Sequence, residues 1–221
     1  MRMLYHTPLS PFCRKIRMLL KEKDLEFELV QENPWDRNLG FFALNPAGEV
    51  PVLVEDNGTV VSGAYAIAEY LEETYDIKLL GKDPAQRAEV RRLIDCFDHK
   101  FDYEVTQNIL FEKVFKNYMH YGEPNSANIR AGKNNLLYHL DYVGYLASER
   151  YFLAGDSLTL ADLAAASHLS ALDYLGDVSW EYNPAARNWY ALMKSRPSLR
   201  CILIERVRGV RPPVHYENPD F

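Results

Sequence analysis

The sequence predicts two structural classes in one chain: a small α/β layer with the order β-α-β-α-β-β-α, then an all-α helical bundle. Strand-like alternation and helical spacing exchange places repeatedly over residues 1–80, whereas from Pro84 onward only the helical period persists. With 221 residues, 48% hydrophobic and 13% aromatic, the chain has enough apolar surface to bury both parts.

The elements follow in order. Residues 2–6 (RMLYH) form the first strand. Phe12, Ile16, Leu19 and Leu20 then recur at helical spacing, and residues 26–30 (EFELV) alternate again, so the two strands of this β-α-β unit lie parallel. A short helical stretch begins near Trp35. Residues 51–61 (PVLVEDNGTVV) are two apolar runs around Asp56-Asn57-Gly58, a hairpin turn because Asn and Gly tolerate positive φ. A helix over residues 64–75 closes the layer. The expected organisation is an α/β domain at 1–76, a linker at 77–83, a helical domain at 84–208 and a tail at 209–221.

In the second part, Val90, Leu93, Ile94, Phe97 and Phe101 mark one long amphipathic helix, and Leu136, Leu140, Val143 and Ala147 mark another. Leu160, Leu163, Ala164 and Leu172 mark a third, preceded by Ser157-Leu-Thr159-Leu-Ala-Asp162. That pattern is a capping box, with Thr159 accepting from the backbone three residues on and Asp162 reaching back toward the cap. It is a folding signal without chemistry. GVRPPVHYENPDF (209–221) holds three prolines and no periodicity, so it is expected to leave the bundle as an extended tail.

Composition excludes several functions. A net charge of −6 argues against general nucleic-acid binding, which needs a basic face. The three cysteines, Cys13, Cys96 and Cys201, do not make a disulfide framework, and MRMLYHTPLSP lacks a signal peptide's apolar run, so a cytoplasmic location is expected. No stretch approaches the roughly 20 apolar residues of a membrane span. His6, His99, His120, His139, His168 and His215 never fall at metal-ligand spacing, so no metal is expected, and His99 and His168 read as satisfied bundle residues.

Two stretches carry chemistry. LSPFCRKIR (9–17) places a proline two residues before a cysteine on a first helical turn with basic residues behind it, the setting of a thiol or thiolate site. In Leu44-Asn-Pro-Ala-Gly-Glu-Val-Pro51, a cis Val50-Pro51 bond would turn the backbone N–H and C=O of Val50 outward, where an extended peptide can pair with them.

SPFCRKIR on the first helix, NPAGEVPVL before the hairpin, AIAEYLEE on the third helix and SLTLADL in an all-helical half together resemble the cytosolic glutathione transferases over nearly the whole chain. The resemblance implies a thioredoxin-like first domain that binds glutathione, a helical second domain beside the electrophile site, and a homodimer. Ser10 then stands where serine-class members hold the hydroxyl that donates to the glutathione sulfur, aided by the helix dipole. Phe12, Cys13, Glu49, Val50, Pro51, Ser62, Gly63 and Ala64 complete the expected glutathione-site remnant. For Cys13 both a buried inert thiol and a reactive one stay open.

The chain departs from that family twice. Glutathione-binding members carry Glu-Ser or Gln-Ser one residue before the apolar pair that begins the third helix; here the pair is Ala66-Ile67, so those positions fall on Gly63 and Ala64, with Ser62 one place early. An offset of one residue near a helix start turns a side chain by about 100°. Losing such contacts costs on the order of 1.5–3 kcal/mol each, roughly one to two decades of affinity. The second departure is the tail, whose Asp220-Phe221 end on a proline-stiffened stalk suits insertion into a partner's groove or folding back over the bundle.

With ENPWDR, LFEKVFK and HYENPDF added, the chain resembles a narrower group, the glutathione-transferase-like FtsZ-binding division proteins of alphaproteobacteria. That likeness implies FtsZ filaments as partner, a second division-machinery contact through the tail, and a location at the division site. Its candidate partner-facing residues are Trp35, Glu112, Lys113, Lys116, Tyr216, Asp220 and Phe221. Trp35 reads equally as an interface anchor or a core-facing ring, and the charges at 112–116 also as a solvated face. The expected function is an FtsZ-binding regulator of constriction with a degenerate glutathione site and no cofactor. The alternative is an active serine-class glutathione transferase, which needs glutathione as co-substrate.

Overall fold

The computed structural model describes residues 1–218. Asp220 and Phe221 lie outside the described residues.

The chain divides into two units, Met1–Leu79 and the part from Leu80 onward. In the first, β1 (Met3–His6), β2 (Glu28–Gln31), β3 (Val52–Val54) and β4 (Val60–Ser62) form a sheet in the order β2-β1-β3-β4. β1 and β2 are parallel, as a β-α-β crossover requires; β3 runs antiparallel to β1 and to β4. β2 begins later than the 26–30 alternation suggests, because its pairing starts where the Glu28 N–H donates to the Arg2 carbonyl. The Asp56-Asn57-Gly58 turn joins β3 to β4, and Gly58 adopts φ +85° there.

Helix α1 (Pro11–Glu22) starts on Pro11, whose missing N–H is no loss in a first turn. It is buried around most of its circumference, Arg14, Lys15 and Arg17 included. The segment after β2 is a 3-10 turn (Pro34–Asp36) and a short α2 (Leu39–Leu44), capped by the Asn38 side chain on the Gly40 N–H. Helix α3 (Ala64–Thr74) packs on α1 through Ile67, Ala68 and Leu71. The lower end of this unit is tied by Arg2, which donates to Glu55 (2.8 Å) and to the Tyr75 hydroxyl (2.5 Å), while Tyr75 donates to Glu55 (3.1 Å).

The second unit is helical. α4 (Pro84–Asp95), capped by Asp83, runs directly into a π-type segment (Cys96–Phe115) and the last turn α5 (Lys116–Tyr118). Within the π segment the buried residues Phe97, Phe101, Val105 and Ile109 recur every fourth position, a stripe that stays straight on turns wider than 3.6 residues. Side-chain pairs there span five residues: Gln107 donates to Asp102 and Asn108 to the Tyr103 carbonyl. α6 (Ser126–Glu149) lies against this segment, closely enough that a Cβ on Gly132 would stand 2.8 Å from Asn108 and Ile109.

Every residue of α7 (Leu160–Tyr174) is buried, the property of a bundle's central helix. Its capping box forms as expected, and Asp162 also accepts from Leu153 N–H (2.8 Å) and Trp189 Nε1 (3.1 Å). α8 (Pro184–Ser195) and α9 (Pro197–Leu203) follow, each begun by a proline. Of the two histidines read as bundle residues, His168 is buried and meets the Thr106 hydroxyl at 2.8 Å. His99 is not a bundle residue: it points outward and pairs with Asp95 one turn back.

The tail departs from expectation. Rather than leaving the bundle extended, residues 206–217 fold onto it, closing with a 3-10 turn (Val214–Glu217) that buries Tyr216 completely. Among the described residues no helix is long and apolar enough to cross a membrane.

Candidate functional site

The registers of the sheet gather the thiol-site residues at one of its ends. Tyr5 of β1 pairs with Val52 of β3, and Val52 pairs with Ser62 of β4. The 7–10 loop leaves the sheet just beyond Tyr5, Val50-Pro51 enters just before Val52, and Gly63 follows Ser62. These three segments therefore share one edge, and the Gly63 N–H donating to the Pro51 carbonyl (2.9 Å) fastens two of them.

Ser10 is the N-cap of α1, and its Oγ accepts the Cys13 N–H at 3.4 Å, a long bond. Among the described residues no acceptor takes its hydroxyl hydrogen, which leaves that hydrogen free to donate to a sulfur anion at the positive end of α1. The preceding Leu9 is buried at φ +65°, a conformation that costs a non-glycine residue about 1–3 kcal/mol and that aims Ser10. Nothing in the sequence marks Leu9 for this role, since a leucine carries no left-handed signal. Cys13, one turn into the helix, is fully buried.

The Val50-Pro51 bond is cis. Asn45 shapes the loop before it, accepting from the Ala47 N–H (3.2 Å) and donating to the Glu49 carbonyl (2.8 Å), which leaves the Glu49 side chain exposed. Gly48 is required twice, by its φ of +69° and because a Cβ would stand 2.6 Å from the Phe42 ring. Among the described residues neither the N–H nor the C=O of Val50 has a hydrogen-bond partner. An extended peptide meets an open pair of backbone groups there.

The third segment supplies less. Gly63 sits at φ +88°, ψ 137°, at the start of α3, with no side-chain cap and open space where a Cβ would stand. Ala64 is buried and Ser62 half-buried. A side chain at 63 would have to be held in a strained backbone; glycine removes both the strain and the anchor. The edge therefore presents a hydroxyl at Ser10 and open backbone groups at Val50, while positions 63 and 64 add no side-chain donor or acceptor.

The partner-facing candidates separate. Trp35 is half-buried in the 3-10 turn of the first unit, four residues before Leu39, which is 84% exposed. Glu112, Lys113 and Lys116 are tied into ion pairs rather than forming a simple solvated face, with Lys113 and Lys116 partly exposed. The Glu112 carboxylate is buried and accepts from the Asn125 N–H (2.8 Å), from Asn128 Nδ2 (2.8 Å) and from Lys116 (2.9 Å). These donors, the Asn125 N–H first and then Lys116, hold its pKa at about 2. Lys113 closes on the buried Asp177 (2.6 Å), which also takes Lys133 (2.8 Å). Glu112 and Lys113 join the π segment to its neighbours within the bundle, and Lys116 braces Glu112 from one turn on. Tyr216 is buried in the closed tail, its ring edge-on against Tyr174 at 5.0 Å.

A family model for the glutathione S-transferase N-terminal domain matches residues 9–74. FtsZ-localized protein A of Caulobacter vibrioides is 46% identical, the match covering 100% of this chain and 98% of that protein. Among solved structures, a glutathione S-transferase from Rhodospirillum rubrum is 53% identical over 100% of both chains with a TM-score of 0.98. FzlA from C. crescentus is 46% identical with a TM-score of 0.96, over 100% of this chain and 99% of that one.

Proposed function

The chain belongs to the glutathione S-transferase family, and from that premise we propose that it is an FtsZ-associated regulator of cell division whose glutathione site has degenerated. The observation that carries this reading is the likeness to FtsZ-localized protein A over the full length of both proteins. Gly63 supports it, since one of the two positions that would grip a charged ligand head is a glycine at positive φ.

In this reading the protein works at the division site as a homodimer, which presents each partner surface twice and bridges neighbouring protofilaments through multivalency. The half-buried Trp35 is the candidate anchor for the filament, and the residues after Glu217 are the candidate contact with a second division protein. Co-sedimentation with FtsZ polymer tests it: the protein should pellet with filaments at micromolar concentration, and Trp35→Ala should reduce the pelleted fraction. Absence of wild-type protein from the pellet overturns the reading.

The free Ser10 hydroxyl hydrogen and open Val50 backbone favour one rival, a working serine-class transferase. Calorimetry with reduced glutathione separates the two. Micromolar binding, with conjugation lost in Ser10→Ala, would establish the enzyme; weak or no binding is the expected result.

A further inference from the structure

We propose that residues 206–217 form a strap that closes on and lifts from the bundle as one unit, with the Asp173 carboxylate as its catch. This goes beyond the division reading and does not depend on it. The strap begins with a tight turn, Val207 bridged to Val210 around Gly209 at φ +80°. The Tyr174 hydroxyl clamps that turn from both sides, accepting from the Val207 N–H (2.9 Å) and donating to the Val210 carbonyl (3.0 Å). Tyr118 adds a bond to the Arg208 carbonyl (2.8 Å). The far end is held by His215, whose Nε2 lies 3.0 Å from Asp173 Oδ1 and whose carbonyl accepts from Lys194 Nζ at 3.0 Å. Tyr216 fills the space beneath, and Arg206 pairs with Glu217 to join the strap's two ends.

Two features make this a strap rather than one more piece of core. First, its contacts are concentrated: an aromatic plug, a clamped turn and a polar catch, with Val214 between them fully exposed. Second, Asp173 keeps partners of its own. Asp173 accepts from Trp180 Nε1 at 2.8 Å and faces Lys194 at 3.8 Å, and Trp180 stacks on Tyr190 at 4.4 Å, all within the bundle. The groove floor therefore survives when the strap lifts, which is the condition for a local opening below global unfolding. Closed, the strap covers Asp173, Tyr174 and Lys194; open, it uncovers a face of all three.

Hydrogen exchange on the full chain tests the proposal. The Val207, Val210, Tyr216 and Asn218 amides donate within the strap or to its clamp and report its closure. In the wild-type protein these amides should exchange together, faster than those of α7. His215→Ala and Tyr216→Ser should each speed all of them by about tenfold or more while α7 and α8 keep their rates. Unrelated rates among these amides, exchange only in step with α7, unchanged rates in both variants, or loss of α7 protection on removing a strap side chain would each overturn it.

Discussion

The sheet end at Ser10, Val50 and Gly63 and the bundle interior around Asp162, Glu112 and Asp173 solve opposite problems. At the sheet end the backbone is shaped with care, by a strained Leu9, a buried Asn45 and an obligatory Gly48, yet the groups it presents stay open. In the bundle two carboxylates are buried and enclosed by donors: Asp162 by two backbone amides, a hydroxyl and an indole, Glu112 by an amide, an amide side chain and an ammonium. Buried polar groups that lack partners are costly, whereas Val50 is only half-buried and its open pair costs less. The difference separates groups left open at the sheet end from groups closed by the fold.

If that division is right, the largest effects come from the bundle. Asp162→Ala removes the acceptor of four donors and leaves them buried, and should lower unfolding stability by about 4 kcal/mol or more in a urea titration, or prevent folding. Glu112→Gln should cost about 1–3 kcal/mol. It should also change the acid limb of stability. The native carboxylate titrates at about 2 against an ordinary 4.5, so its contribution is present above about 4.5 and is lost as pH falls toward 2. Thermal melts across that window should lose slope in the variant; an unchanged slope would show that Glu112 is not so held.

At the sheet end the expected gains and losses are of affinity. Replacing Gly63 with Glu and Ala64 with Ser together should raise glutathione affinity by about 10- to 100-fold in calorimetry, while strain at φ +88° lowers stability by about 1–3 kcal/mol. Affinity unmoved by the double change would mean that the missing anchor is not what weakens the site. The smallest effect is that of Ser10→Ala on folding, about 0.5 kcal/mol by urea titration, because its capping bond is long at 3.4 Å.

What the sequence reveals divides along a physical line. Features set by near neighbours are legible: the Asn57-Gly58 hairpin, the parallel β-α-β unit, the Thr159/Asp162 box and the Val50-Pro51 approach to the sheet. Features set by partners far along the chain are not. Glu112 looks like one charge in a solvated run because its donors Asn125 and Asn128 belong to the next helix. His215 and Tyr216 look like parts of a loose tail because Asp173, Tyr174 and Lys194, which receive them, stand on α7 and α8. The π segment is intermediate, its fourfold spacing visible at Phe97 and Phe101 but readable as an ordinary helix. At the candidate site, Gly63 and Ala64 can be placed by counting back from Ala66-Ile67, while the left-handed Leu9 leaves no trace in its residue type.

Gly63 has a consequence for any redesign of its turn. Glycine at this turn adopts φ +88° with ease, where any side chain would carry strain. Adding a gripping side chain means accepting that strain at 63 before a hydroxyl at 64 can repay it. Side-chain capture of a charged ligand head here thus takes two substitutions, the first of them a loss in stability, and a chain serving another duty meets that loss before any gain.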